Sequence, residues 1–199
     1  MKDSGTTPMK IAITGGIGSG KSFVCRLLNQ RGIEIYDCDA AAKRLMRDSI
    51  GLRRQLTALI GVEAYTAEGL LNKPAVAQFL LQSEANAKAV DSIVHPAVAE
   101  DFRQSGMLWM ECAILYESGF DRLVDRVIAV TAPEDMRIQR IMQRDGITAD
   151  KAREWLSRQW PQEKVRLLAN YEIINDGSTD LEMQIDKTLK SIYRHIEMS

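Results

Sequence analysis

Gly15-Gly16-Ile17-Gly18-Ser19-Gly20-Lys21-Ser22 follows the apolar run Lys10-Ile11-Ala12-Ile13-Thr14. It runs into a predicted helix, Ser19 to Arg31, where Phe23, Val24, Leu27 and Leu28 share one face and Gly32 ends the period. The pattern G-x-x-x-x-G-K-[ST] is short, but strand, glycines and helix stand in the order its chemistry needs. Glycines let the chain curl so that successive N–H groups converge on phosphate oxygens. The helix N-terminus adds partial positive charge. Lys21 has the reach to meet the β- and γ-phosphates of a nucleoside triphosphate, and Ser22 can set its hydroxyl on a magnesium ion. A triphosphate site is therefore expected around Gly16, Ile17, Gly18, Ser19, Gly20, Lys21 and Ser22.

Working outward, Ile33-Glu34-Ile35-Tyr36 reads as a second strand ending in Asp37-Cys38-Asp39, with an alanine-rich helix from Ala40 to Arg47 after it. Residues 49 to 106 read as wholly helical: a stretch around Leu52, Leu56, Leu59 and Ile60 closed by Gly61, then Pro74 to Leu81 capped by Asn72, Ser83 to Val94, and Pro96 to Gln104 closed by Gly106. Leu108 to Leu115 and Arg126 to Thr131 return to strand. Pro133 opens a helix with Glu134 and Asp135 in its first turn, and Gly146 ends it. Thr148 to Gln159 is helical, Glu172 to Asn175 is a last strand, and Thr179-Asp180-Leu181-Glu182 reads as a capping box before a terminal helix with Ile185, Leu189, Ile192 and Ile196 inside. Five strands separated by helices predict an α/β fold, a five-stranded parallel sheet covered by helices.

Composition narrows the class. The chain has 199 residues, 45% hydrophobic and 27% charged, with a formal net charge of −1. That suits a globular domain and offers no overall basic excess for gripping nucleic acid. The polar lead-in at residues 1 to 9 has no apolar core, so no secretory signal is expected, and no apolar run is long enough to span a bilayer. Cys25, Cys38 and Cys112 lie too far apart in sequence to suggest a zinc site or a disulfide framework, which points to reduced thiols and a cytoplasmic setting.

Three kinds of phosphate-loop protein compete. A guanine-nucleotide switch needs D-x-x-G and N-K-x-D. Asp48-Ser49-Ile50-Gly51 spells the first with no strand before it, and Asn72-Lys73-Pro74-Ala75 misses the second. A motor-type ATPase needs a strand ending in acid, for which Ala113-Ile114-Leu115-Tyr116-Glu117 is a poor match. A small-molecule kinase needs an acceptor-binding insertion, an acid beside the attacking hydroxyl and arginines over the transferring phosphoryl. Residues 49 to 106 supply the insertion. Asp37 or Asp39 supplies the acid: in an extended chain the two carboxylates point the same way, beyond the carboxyl end of a strand. Arg137, Arg140 and Arg144 supply the cations on one helix face, with Arg140 and then Arg144 expected on phosphate.

The motifs also carry a resemblance. Thr14 to Ser22, the Asp37-Cys38-Asp39 pair, Val94-His95-Pro96, Ile114-Leu115-Tyr116-Glu117, Arg140 with Gln143-Arg144-Asp145, Arg158-Gln159 and Ile173-Ile174-Asn175-Asp176-Gly177 stand in the order found in the dephospho-CoA kinase family. The chain resembles that family from about residue 10 to 177, departing from it at Phe23, Asp91 and Ala113. The resemblance implies a P-loop kinase fold with a core (10–48 and 107–199), a helical acceptor-binding insertion (about 49–106) and an arginine-bearing lid (about 137–166). It implies ATP and dephospho-CoA as substrates with Mg2+, the ribose 3′-hydroxyl as acceptor, Asp39 as catalytic base beside Lys21 and Arg140, and acceptor contacts from Asp37, His95 and Glu117.

Overall fold

The computed structural model describes residues 8–197. Residues 1–7 of the expected lead-in lie outside them, and Met9, counted with that lead-in from sequence, instead packs against the core. The core is built on β1 (Ile11–Thr14), whose four residues are all buried. After it come α1 (Lys21–Gln30), β2 (Ile35–Asp37), α2 (Cys38–Asp48), α3 (Ile50–Ile60), α4 (Lys73–Gln82) and α5 (Glu84–Ser105). The chain then runs through β3 (Trp109–Glu111), β4 (Arg126–Thr131), α6 (Glu134–Asp145), α7 (Ala149–Ser157), α8 (Gln162–Leu168), β5 (Tyr171–Ile174) and α9 (Leu181–Glu197). The strand order is β2-β3-β1-β4-β5, and β1 pairs in parallel with both β3 and β4, as β4 does with β5. The P-loop thus leaves the carboxyl end of the central strand, where connections depart to opposite sides of the sheet and ligands of open parallel sheets bind.

Two compact units divide the chain, one comprising residues up to Ile35 and from Met107 on, the other Tyr36–Gly106. In the first, alternate residues of neighbouring strands form one apolar face. Ile11, Ile13, Ile128, Val130 and Ile173 meet Val24, Leu27 and Leu28 from α1 and Ile185 and Ile192 from α9. The period of two in the strands and of three to four in the helices puts these groups on facing surfaces. Ile196 lies outside the residues whose side chains are described. A smaller cluster joins α6 to α7 through Ile138, Ile141 and Ala152.

The second unit is helical. Val90, Val94, Val98 and Phe102 make one buried stripe along α5. That stripe continues straight across Pro96, so the two helices expected on either side of the proline are a single one. Pro96 removes the N–H that would bond the Ser92 carbonyl, and burying the unbroken stripe outweighs that loss. Tyr36 packs its ring against Phe102 at 5.2 Å and donates its hydroxyl to Asp101 at 2.6 Å. Arg44 reaches the same carboxylate at 2.5 Å.

Other boundaries move for local reasons. β3 stops at Glu111 instead of running to Leu115. Cys112 N–H still donates to the Ile13 carbonyl at 3.0 Å, but its neighbour β1 ends at Thr14 and turns into the glycine loop, so no ladder partner remains. The terminal helix is capped by Asp180, which accepts from Met183 N–H at 3.1 Å, while Thr179 bonds back to Asp176. α8 was not expected at all.

Candidate active site

Helix α1 begins at Lys21 with no side-chain cap on its first turn, so its leading N–H groups are left for an anion. Gly20 precedes it at φ 87, the left-handed region that favours glycine, and a Cβ there would fall on the side-chain nitrogen of Asn175. Ser19 is fully buried, and its hydroxyl has no hydrogen-bond partner among the described residues. Ser22 is exposed beside it.

Lys21 is held by Glu111, the last residue of β3. Both side chains are mostly shielded, at 11% and 17% exposure. Burial strengthens such a pair and ties the ammonium at the mouth of the loop. Sequence reasoning missed Glu111. Extending β3 to Leu115 made Glu117 the nearest acid to a strand end, although Trp109-Met110-Glu111 is itself an apolar run closed by an acid. Glu117 instead accepts from the Trp160 backbone N–H at 3.1 Å, next to Tyr116, which stacks on the Trp160 ring at 6.0 Å.

The arginines of α6 do not form one solvated face. Arg137 is buried at 7% exposure and donates from Nε to the Ile17 carbonyl at 3.0 Å. Burial lowers its pKa from the usual arginine range. Arg140 donates to the carbonyls of Gly18 at 3.2 Å and Ser19 at 3.3 Å, and to Asn175 Oδ1 at 3.2 Å. Asn175 in turn donates to the Ser19 carbonyl at 2.9 Å. Sequence placed Arg140 on phosphate; here it braces the backbone of the loop that would hold phosphate. The loop's outward carbonyls need donors, and Arg140 and Asn175 supply them. Gln159 adds another brace, accepting from Ile17 N–H at 2.8 Å. Arg144, the second choice for phosphate, is exposed and paired with Asp145 at 2.8 Å.

Asp37 ends β2 in extended backbone, but Asp39 does not continue the strand. Helix α2 starts at Cys38, two residues earlier than expected. Asp37 is its N-cap, accepting from Ala40 N–H at 2.9 Å, and Asp39 stands exposed in its first turn. The helical turn separates two carboxylates that an extended chain would align. His95 does not end a helix: it sits inside α5, its Nε2 3.6 Å from Asp91 one turn before.

Among the described residues, no group of three or more His, Cys, Asp or Glu could hold a metal by itself. All three cysteines are buried. No helix among the described residues is long and apolar enough to cross a membrane.

Comparison with known proteins agrees with this geometry. Residues 9–180 match the CoaE dephospho-CoA kinase family. The dephospho-CoA kinase of Bacteroides fragilis is 37% identical over 195 residues, covering 94% of this chain and 95% of its own. The crystal structure of TT1252 from Thermus thermophilus superposes with a TM-score of 0.80 at 28% identity, covering 92% of this chain and 97% of that one. Dephospho-CoA kinase from Campylobacter jejuni shares the fold with a TM-score of 0.65 at 19% identity, covering 94% and 98%. The glycine loop on the central strand, the lysine held at its mouth and a family match spanning both units converge: the chain belongs to the dephospho-CoA kinase family.

Proposed function

We propose that this protein transfers the γ-phosphoryl group of ATP to the ribose 3′-hydroxyl of dephospho-CoA, giving coenzyme A, in the cytoplasm. The observation that carries the reading is the uncapped start of α1 below a glycine loop whose lysine is tied to Glu111, in a chain of this family. The residues around it support distinct roles. The first-turn N–H groups bind phosphate, and Lys21 exchanges Glu111 for the transferring phosphoryl as charge develops there. Ser22 and Glu111 are the oxygens suited to magnesium, which would neutralise and align the phosphates.

Asp39 is the candidate to accept a hydrogen bond from the acceptor hydroxyl. It is exposed, and Asp37 already has a structural task as a cap. In a loose transition state the carboxylate serves chiefly to orient the nucleophile. Arg140 and Arg144 remain the candidate phosphate contacts, and Arg137, a buried cation lying against Gly16, supports a further one. The helical unit, with Asp37 and His95, is the proposed acceptor-binding region, while Glu117, in the other unit, remains a candidate acceptor contact only from the resemblance. The arginine-bearing region of about residues 137–166 is the proposed lid, with α7 packed on α6 within it through Ala152, Trp155 and Leu156.

The test is an acceptor panel. Purified protein with ATP and magnesium is offered dephospho-CoA beside nucleosides and nucleoside monophosphates. Phosphorylation of dephospho-CoA with kcat/KM at least tenfold above every other acceptor is expected. Preference for a nucleoside, or ATP hydrolysis that no acceptor stimulates, would overturn the reading.

A further inference from the structure

Within the helical unit, α3 and the segment after it enclose a hollow of about 500 Å³ lined by Ile50, Arg53, Arg54, Thr57, Ala58 and Tyr65. That is the size of a small-molecule site. No carboxylate lines it. Neither guanidinium has an ion pair or a hydrogen bond among the described residues. Two cations without counter-charge in one hollow repel each other, and an anion relieves that.

Arg53 is fixed before any ligand arrives. Its guanidinium lies over the Tyr65 ring, 4.9 Å from the centroid, and Tyr65 is itself anchored by its hydroxyl to the Met46 carbonyl at 2.7 Å. Gly69 also comes close: it adopts φ 78, and a Cβ there would stand 2.7 Å from Arg53 Nη2. Glycine leaves the space that the guanidinium fills. A planar cation stacked on an anchored ring, in space that a glycine leaves open, is pre-organised for phosphate oxygens. Arg54 extends beside it, exposed. The remaining wall is mostly apolar, from Ala58, the Tyr65 ring and Ile50, which is 68% exposed, with Thr57 the one further polar side chain lining it. A free phosphate would leave that wall wet, and a neutral apolar molecule would leave the arginines uncompensated. The hollow fits a phosphate ester carrying an extended arm of methyl, methylene and amide groups.

We infer that this hollow binds the diphosphate and pantetheine arm of the acceptor, with Arg53 and Arg54 on the phosphates and Ile50, Ala58 and Tyr65 along the arm. The assignment rests on the function proposed above. ATP has phosphates but no such arm, so the site distinguishes the two substrates.

The experiment compares wild type with Arg53→Met, Arg54→Met and the double variant. Methionine keeps length and apolar packing while removing charge. KM for dephospho-CoA, KM for ATP, kcat, and the inhibition constant of 4′-phosphopantetheine against dephospho-CoA are measured. Each single variant should raise KM for dephospho-CoA and weaken 4′-phosphopantetheine by about tenfold, as loss of a charge-assisted contact does. The double variant should go further, with KM for ATP and kcat within about twofold. Arg54 is exposed and has no hydrogen bond or ion pair among the described residues, so Arg54→Met decides the matter even if Arg53→Met does not fold. Unchanged KM for dephospho-CoA in an active enzyme, or a rise in KM for ATP instead, overturns this inference alone. A wild type that leaves dephospho-CoA untouched overturns the functional reading and this inference with it.

Discussion

Lys21 carries the mobile positive charge of the P-loop, and its attachment to Glu111 sets what its loss should do. Lys21→Ala removes one donor to the developing charge and leaves Glu111 without its cation. A drop in kcat equivalent to about 3 kcal/mol is expected in steady-state assays, by analogy with loss of one preorganised donor. Turnover within about twofold of wild type would deny Lys21 its role. The two aspartates separate by the property measured. Asp39→Asn should keep ATP binding and lower kcat strongly. Asp37→Ala should lower stability by about 1 kcal/mol in denaturant titration, because it deletes an N-cap, whereas Asp37→Asn should not, because asparagine caps equally well. If Asp37→Asn abolishes turnover and Asp39→Asn leaves it intact, the carboxylates have been assigned the wrong way round. At this scale the sequence was legible where a residue's job follows from its own backbone, as at Gly20. It was not legible where the job is to face another segment. Arg140 and Asn175 are 35 positions apart and join across the same loop carbonyl of Ser19, and nothing in their spacing shows it.

At the scale of elements, the turn between β5 and α9 offers a test by pH. Asp176 accepts from the N–H groups of Ser178 at 2.9 Å and Thr179 at 2.7 Å, and from the Thr179 hydroxyl at 2.9 Å. These bonds favour the carboxylate and hold its pKa well below the usual range. The folded state therefore binds this proton less readily than the unfolded chain. The stabilisation is fully present above the ordinary carboxylate pKa and is lost as pH falls through the depressed one. Asp176→Ala should accordingly lower the thermal midpoint at pH 7, and its deficit against wild type should shrink in acid. A deficit that stays constant down to pH 2 would show that the turn does not depend on the charge. Strand and helix identity was readable from period and caps: Asn72, Gly61, Gly106 and Gly146 all terminate helices where expected. Element ends were harder. β3 ends where its neighbour leaves it and α5 continues where its buried stripe demands, and both depend on partners remote in sequence.

For the whole molecule, the parallel sheet and its P-loop followed from five apolar runs separated by helices, and the family match extends that reading over residues 9–180. The chain divides into a sheet-bearing unit and a helical one, Tyr36–Gly106; on the proposed function each would hold one substrate, so the two affinities could be set independently. What composition could not give was chemistry that depends on absence. Arg53 and Arg54 look in sequence like any solvated helix face, and only three-dimensional neighbours show that no carboxylate among the described residues pairs with them. The central claim is that the phosphoryl group of ATP ends on one particular oxygen. It is tested most directly by phosphorus NMR of the product formed from ATP, magnesium and dephospho-CoA. The account predicts one new phosphomonoester coupled to the ribose 3′ proton with wild-type enzyme and its near-absence with Lys21→Ala. A monoester on any other atom, or release of inorganic phosphate alone, would contradict it.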